Sequence, residues 1–397
     1  MMSDQAHEVL AAQWREPGFT CPNSKTYPWL WLWDSCFHSI VWAELGDTER
    51  ALSELTTALS AQDVDGFVPH VIYLDGCTDH EQFWGRANTS SITQPPIYGH
   101  AIAELARRGI AIPLDLLERA TAGLNFLFES RRRSTAGLIE LVHPWESGCD
   151  HSPRWDDLIL ASSGVPASTG FDEQTWFRRK GELLQGIQRK AGGAPISNDD
   201  FPVGSVAFSA MAVFCAAELA GVTGDTALLR HAADVSAALA ERWEPQLRTW
   251  VDDGPTALGS GRVRTAEALL GVLALPVMGS GNSAMTQAVA GLVADELSDV
   301  RAFAGEFGAR QVHVDEPTYL PTTYWRGPSW PQLNYLLWIG LLRVGKFAEA
   351  SQLARNSRLG AQRSGWAEYW DADTGRPGGA VPQSWTTLAI CMSASEV

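Results

Sequence analysis

No Cys-x-x-Cys pair occurs in this sequence. Its six cysteines (21, 36, 77, 149, 215 and 391) stand far apart, which excludes the spacing of a zinc ribbon or a dithiol redox motif. Scattered thiols without a framework read as free cysteines in a reducing cytoplasm. The amino end, MMSDQAHEVL, lacks a basic segment followed by an apolar one and reads as no signal peptide. The apolar run at 335–342, YLLWIGLL, is far too short to cross a bilayer. Positive charge is scarce: 30 Lys and Arg face 46 Asp and Glu, for a net charge of −16, and only Arg131, Arg132 and Arg133 cluster. Nucleic acid and anionic membranes, which need a basic face, are therefore excluded as partners.

Several catalytic templates are also missing. There is no Gly-x-Ser-x-Gly elbow, no Walker loop, no Gly-x-Gly-x-x-Gly after a strand and no His-Glu-x-x-His pair. His143 and His151 lie eight apart in a loop without a third ligand, so neither a metal nor a cofactor is expected.

What the chain does have is tryptophan, seventeen in 397 residues, many of them in loops. A hydrophobic share of 45% with 19% charged residues suits a well-packed globule. Helical patterns cover roughly 34–45, 48–62, 96–108, 114–130, 172–190, 204–220, 226–242, 264–275, 282–297, 331–344, 347–357 and 384–394. Asp47 and Asp225 precede two of them as N-caps, and Gly46, Gly109 and Gly221 close others. Strand candidates are few and short, GFVPHVIY and GLIELVH among them. No linker or shift in composition divides the chain, which predicts one domain over 1–397.

About a dozen helices in consecutive hairpins predict an all-α fold, the (α/α)6 barrel, because an open bundle does not hold so many helices around one core. A solenoid would show a fixed sequence period, and none is present. In such a double ring the loops at one end line a central cavity. The four most unusual segments, 27–34, 143–157, 321–331 and 364–380, all fall in loops, where functional residues concentrate.

HPWESGCDHSPRWDD (143–157) holds Glu146, Asp150, Asp156 and Asp157 between Trp145 and Trp155, with Gly148 allowing close backbone approach. A carboxylic acid walled by indoles has a raised pKa, as a general acid requires. In WAEYWDADTGRPGG (366–379), Glu368 sits between Trp366 and Trp370. The DADTG run looks like the opening of a calcium loop, but Gly375 and Pro382 occupy ligand positions, so it reads as turn chemistry. TTYWRGPSWPQLNYLLW (322–338) offers Tyr324, Trp325 and Trp330 in a loop, with Pro331 in the first turn of a helix. Gln94 precedes Pro95 and Pro96 at a further helix start. Two carboxylates in aromatic loops fit glycoside hydrolysis, in which one acid protonates the leaving oxygen and the other attacks or activates water. Trp31 and Trp33 in YPWLWLWDSCFH (27–38) would wall a sugar pocket, with Asp34 binding hydroxyls.

The ordered motifs YPWLWLWDSCFH, TQPP, HPWESGCDHSPRWDD, YWRGPSWPQLNYLLW and EYWDADTG resemble those of glycoside hydrolase family 63 and its short bacterial relatives, the mannosylglycerate and glucosylglycerate hydrolases. The resemblance runs from about residue 27 to 385. It implies an inverting α-glycosidase on an (α/α)6 barrel, with Asp150 as general acid and Glu368 as general base. It also implies a sugar pocket of Tyr27, Trp31, Trp33, Asp34, Gln94, Trp145, Gly148, Tyr324, Trp325 and Trp330. A glycerate carboxylate would meet an arginine of TWFRRKGELL, either Arg178 or Arg179, between which the spacing does not decide. His151 and Cys149 depart from the family pattern beside the acid.

The expectation is thus a cytoplasmic, metal-independent glycoside hydrolase of glucosylglycerate or mannosylglycerate, with room for a homo-oligomer. The alternatives are an α-glucosidase on a neutral disaccharide and a catalytically silent sugar-binding protein. A terpene cyclase would want an Asp-rich helix motif, and the Asp156–Asp157 pair is too thin for one.

Overall fold

The computed structural model describes residues 2–74, 76, 78–160, 173–277 and 284–393; Cys77, expected as a free thiol, lies outside them. Among the described residues thirteen α-helices carry the architecture: α1 (Met2–Gln13), α2 (Leu32–Glu44), α3 (Thr48–Leu59), α4 (Asp79–Trp84), α5 (Tyr98–Arg107), α6 (Leu114–Asn125), α7 (Asp156–Leu160), α8 (Glu173–Leu183), α9 (Val206–Thr223), α10 (Thr226–Ala240), α11 (Ala284–Ser298), α12 (Pro331–Arg343) and α13 (Phe347–Arg363). Two tighter 3-10 segments, Ala268–Val277 and Ser384–Ile390, act as further helices.

The packing closes a ring. α2 touches α5, α5 touches α9, α9 touches Ala268–Val277, that segment touches α12, α12 touches Ser384–Ile390, and the last returns to α2. Outside it, α3 packs on α2, α6 on α5 and α9, α10 on α9, α11 on Ala268–Val277, α13 on α12, and α1 on Ser384–Ile390. Six inner and six outer helices make the all-α (α/α)6 barrel that the hairpin pattern predicts.

The sequence explains which helices lie inside. α9, VAFSAMAVFCAAELAGVT, is apolar all round and buried over most of its length, as a helix covered on every side must be. Among the described residues it alone is long and apolar enough to cross a membrane, and its place in the inner ring accounts for that composition. Gly99 lets α5 and α9 touch, since a Cβ there would lie 2.6 Å from the Cys215 carbonyl oxygen. Asp47 caps α3 by accepting from the Arg50 amide at 3.0 Å, and Asp225 caps α10 through the Ala227 and Leu228 amides.

The structure differs from expectation at several places. α9 runs past Gly221 to Thr223 and stops at Gly224, which takes a left-handed φ of +74°. Residues 187–189, expected to continue a helix, instead form a strand, Ile187–Arg189, paired with Pro195–Asn198 across a Gly192–Gly193 turn. α2 begins at Leu32, two residues before Asp34, because Leu30–Trp31 pairs with Val71–Ile72 and ends the extended stretch there. α1 is a helix that the sequence pattern does not announce. Short antiparallel ribbons tie the loops together, notably Glu140–Leu141 with Val203–Gly204 and Tyr369–Trp370 with Pro377–Gly378.

Candidate active site

Where the loops converge at one end of the ring they enclose a cavity of about 490 Å³. Tyr27, Trp31, Trp33, Asp34, Gln94, Trp145, Gly148, Asp150, Tyr324, Trp325 and Glu368 all line it. These residues come from segments spread over the whole chain, and only the ring brings them together.

The acid-rich loop shows why its four carboxylates are not equivalent. Glu146 is fully buried and held by Arg131 through two hydrogen bonds of 2.6 and 2.8 Å, and by the Val142 and Thr93 amides. Asp156 makes a paired contact with Arg326 at 2.8 and 2.6 Å. Asp157 accepts from the Ser260 amide at 2.7 Å. Arg154 anchors the same loop to Asp252 at 2.7 Å, and Ser152 donates to Glu267. Paired arginine–carboxylate contacts of this kind fix geometry as well as charge. Asp150 alone of the four faces the cavity, its side chain 23% exposed there. Gly148 turns the chain at φ +72°, and a Cβ on it would lie 2.5 Å from a Trp33 ring carbon. That close approach needs glycine.

Glu368 belongs to the ribbon loop after α13. Its carboxylate accepts from the Ala380 amide at 2.9 Å and from the Tyr27 hydroxyl at 3.2 and 3.5 Å, while its carbonyl accepts from the Trp385 indole at 3.0 Å. Burial pushes its pKa up to about 7; the Ala380 and Tyr27 hydrogen bonds oppose the rise and the Asp150 charge adds to it. Burial also raises Asp150, against the pull of the Lys180 ammonium. Asp34, in the first turn of α2, is raised well above the usual carboxylate range, by burial and then by the charge of Glu368. Its Oδ1, the Trp31 and Trp325 indole nitrogens and the Gln383 Oε1 are buried with no hydrogen-bond partner from the protein. All four residues line the cavity, whose largely indole wall with a few polar groups has the usual make-up of a small-ligand site.

Two of the residues expected in the pocket lie elsewhere. Trp330 stands behind Trp325, stacked face to face at 3.6 Å and 1°, so it stiffens the wall without lining it. Arg178 is 57% exposed and pairs with Glu182 at 2.9 Å; Arg179 turns to the same glutamate. The reason is helical phase: α8 buries Trp176, Lys180 and Leu183, and Arg178 falls between these positions on the outer side. Among the described residues no arginine or lysine lines the cavity.

Sequence reasoning missed Glu173, Phe177, Tyr369, Gln383 and Trp385, which also line it, and the buried Lys180 behind His151. Glu173, Phe177 and Lys180 share one helical face with Trp176, a periodicity that could have flagged them. The histidines have structural partners: the His143 Nε2 lies 2.9 Å from the Lys180 carbonyl oxygen, and its Nδ1 accepts from the Trp145 amide at 3.1 Å. In the DADTG turn, the Asp371 carboxylate accepts from the Asp373 and Thr374 amides at 3.0 and 2.8 Å.

Comparison with known proteins places this geometry among relatives. The family described as the mannosylglycerate hydrolase MGH1-like glycoside hydrolase domain matches residues 27–386. A glucosylglycerate hydrolase from Mycolicibacterium hassiacum is 30% identical over 92% of this chain and 91% of its own length. A mannosylglycerate hydrolase from Thermus thermophilus is 27% identical, over 96% and 98% of the two chains. The crystal structure of a family 63 mannosylglycerate hydrolase from Thermus thermophilus, in complex with Tris and D-glycerate, superposes with a TM-score of 0.80 over 99% of each chain at 24% identity.

Proposed function

Because the chain belongs to the mannosylglycerate hydrolase MGH1-like glycoside hydrolase family, we propose that it is an inverting α-glycosidase whose favoured substrate is glucosylglycerate or mannosylglycerate. The observation that carries the mechanism is the unequal setting of two carboxyls in one cavity. Asp150, desolvated yet free of any arginine, is suited to hold a proton and donate it to the glycosidic oxygen. Glu368, oriented by the Tyr27 hydroxyl and the Ala380 amide, is suited to take a proton from the attacking water. The C1–O bond breaks as the water oxygen bonds to C1 from the opposite face. Trp31, Trp33, Trp145 and Trp325 stack against the sugar, while Asp34, Gln94 and Tyr27 bind its hydroxyls. Two carboxyls supply both proton transfers, so the reaction needs neither metal nor cofactor. The chain acts as one catalytic domain, in a cytoplasm that keeps Cys21, Cys36, Cys149, Cys215 and Cys391 as thiols.

The cavity wall favours one second reading. Arg178 points away, and among the described residues only carboxylates and histidines supply ionisable charge to the wall besides tyrosines. A neutral aglycone, as in a disaccharide, suits that surface better than glycerate does. Proton NMR of the first-formed sugar tests the stereochemistry: the β-anomer is expected from an α-glycoside, and initial α-anomer sinks inversion. Comparing kcat/KM for α-glycosides of glycerate and of glycerol decides the aglycone. The favoured reading, which rests on the relatives, expects a preference for glycerate; equal use of both promotes the neutral reading that the wall suits.

A further inference from the structure

Beside Asp150 lies a cation that the proposed chemistry leaves unused. Lys180 is 1% exposed, with its Nζ 2.7 Å from the His151 Nε2 and 3.9 Å from the Asp150 Oδ2. The ammonium also sits over the rings of Trp145 (5.0 Å) and Phe177 (4.7 Å). A lysine is seldom buried without a charge to serve. His151 is itself clamped edge-on by Phe177 and Tyr324 and tilted against Trp176, so it cannot follow the lysine if that side chain moves.

We propose that Lys180, held by His151 as its acceptor, is a positioning residue that stabilises the carboxylate Asp150 becomes on giving up its proton. This rests on the reading of Asp150 as the acid. As the Asp150 proton passes to the glycosidic oxygen and the C1–O bond opens, the attacking water gives its proton to Glu368. Negative charge then appears on Asp150 within reach of the ammonium. The neutral acid before reaction gains much less from that cation, so the interaction favours the transition state over the ground state. The His151 acceptor at 2.7 Å leaves the ammonium 3.9 Å from Asp150, at the outer edge of ion-pair range, whereas direct contact would hold the acid deprotonated.

The surroundings support a charged lysine. Burial brings Lys180 down to about 8, against the pull of the Asp150 carboxylate and then of Glu173 on the same helix, so the ammonium is still the main form at neutral pH. Burial, Lys180 and Arg326 keep His151 neutral, and burial does the same for His143, which touches Lys180 only through its carbonyl. Across the cavity, Glu368 and Tyr27 face Asp150.

The test uses two substrates, an alkyl α-glycoside, which needs a general acid, and an α-glycosyl fluoride, which does not. Lys180→Met is expected to lose about tenfold or more in kcat on the alkyl glycoside, a fraction of a full general-acid contribution, and to keep near wild-type turnover of the fluoride. Its alkaline limb of kcat/KM should move up by about one pH unit, since a neighbouring cation lowers a carboxyl pKa. Lys180→Arg should return the limb toward its wild-type position. Equal loss on both substrates with an unmoved limb would overturn the proposal, because that is the signature of a structural prop. If Lys180→Met does not fold, His151→Ala serves: the freed ammonium should close on Asp150 and move the limb down, and an unmoved limb overturns the idea. Asp150→Asn separates the two levels of the argument. If that variant keeps the alkaline limb on the alkyl glycoside, the acid assignment itself fails, whatever Lys180 does.

Discussion

The Tyr27 hydroxyl donates to both carboxylate oxygens of Glu368, at 3.2 and 3.5 Å, joining the start of the chain to its last loop. A hydrogen bond of this kind favours the charged carboxylate, and burial opposes it, leaving Glu368 at about 7. A general base must be ionised, so kcat/KM should fall as the pH drops through that value. Tyr27→Phe removes the bond and raises the pKa, so the acid limb should move to higher pH by about half a unit to one unit. The rate at alkaline pH should change less. A pH profile with an unmoved acid limb would uncouple the tyrosine from the base.

Asp150→Asn and Glu368→Gln should each lower kcat on an unactivated glycoside by roughly 10²–10⁴-fold. The two should part on an activated leaving group, which needs little protonation. It partly restores Asp150→Asn and does nothing for Glu368→Gln, which still lacks a group to activate water. Melting curves should stay near wild type, because neither carboxylate belongs to the arginine pairs that hold the loop.

Gly148→Ala should disable the site through shape alone. The new Cβ would lie 2.5 and 2.7 Å from Trp33 ring carbons, at a backbone φ of +72°. Trp33 or the loop must shift, and a displacement near 1 Å can cost about 10²-fold in rate. Full activity in this variant would show that the loop tolerates rearrangement there.

A stability effect is expected far from the cavity. Glu54 is fully buried between α2 and α3, accepting from the Thr20 amide at 2.7 Å, and burial raises its pKa to about 8. The folded state therefore holds a proton that the unfolded chain releases near its ordinary value. The resulting stabilisation is complete below the unfolded pKa and is lost as pH rises toward 8. Glu54→Gln should flatten that slope, leaving the variant on the order of 1–3 kcal/mol more stable than wild type near pH 8–9 and little changed at pH 5. Thermal melts at the two pH values give the comparison.

Much of this architecture is legible in the residues, for reasons of periodicity. α3 and α10 repeat their apolar positions at helical spacing and carry an aspartate cap, so their type and start follow from local chemistry. The patterns at 264–275 and 384–394 read as ordinary helices, whereas the structure holds the tighter 3-10 segments Ala268–Val277 and Ser384–Ile390. That Ala268–Val277 and Ser384–Ile390 complete the inner ring depends on contacts remote in sequence, which no local pattern encodes. In the site, the indole-flanked acids Asp150 and Glu368 stand out because aromatic company is unusual for a loop carboxylate. The resemblance points to Arg178 or Arg179, whereas the phase of α8, set by Trp176 and Leu183, turns Lys180 inward instead. Trp330 and Trp325 are alike in the sequence; only the three-dimensional stack decides which of them faces the cavity.

The indoles that wall the cavity carry a practical consequence. Trp31, Trp33, Trp145, Trp325 and Trp385 all border the space a sugar would fill, and the emission of an indole depends on the polarity around it. A ligand that displaces solvent from these faces should alter the protein's intrinsic fluorescence without any label. In Asp150→Asn, where turnover is slow, a titration followed this way would report affinity separately from chemistry, so that glycerate and glycerol glycosides could be ranked by binding alone.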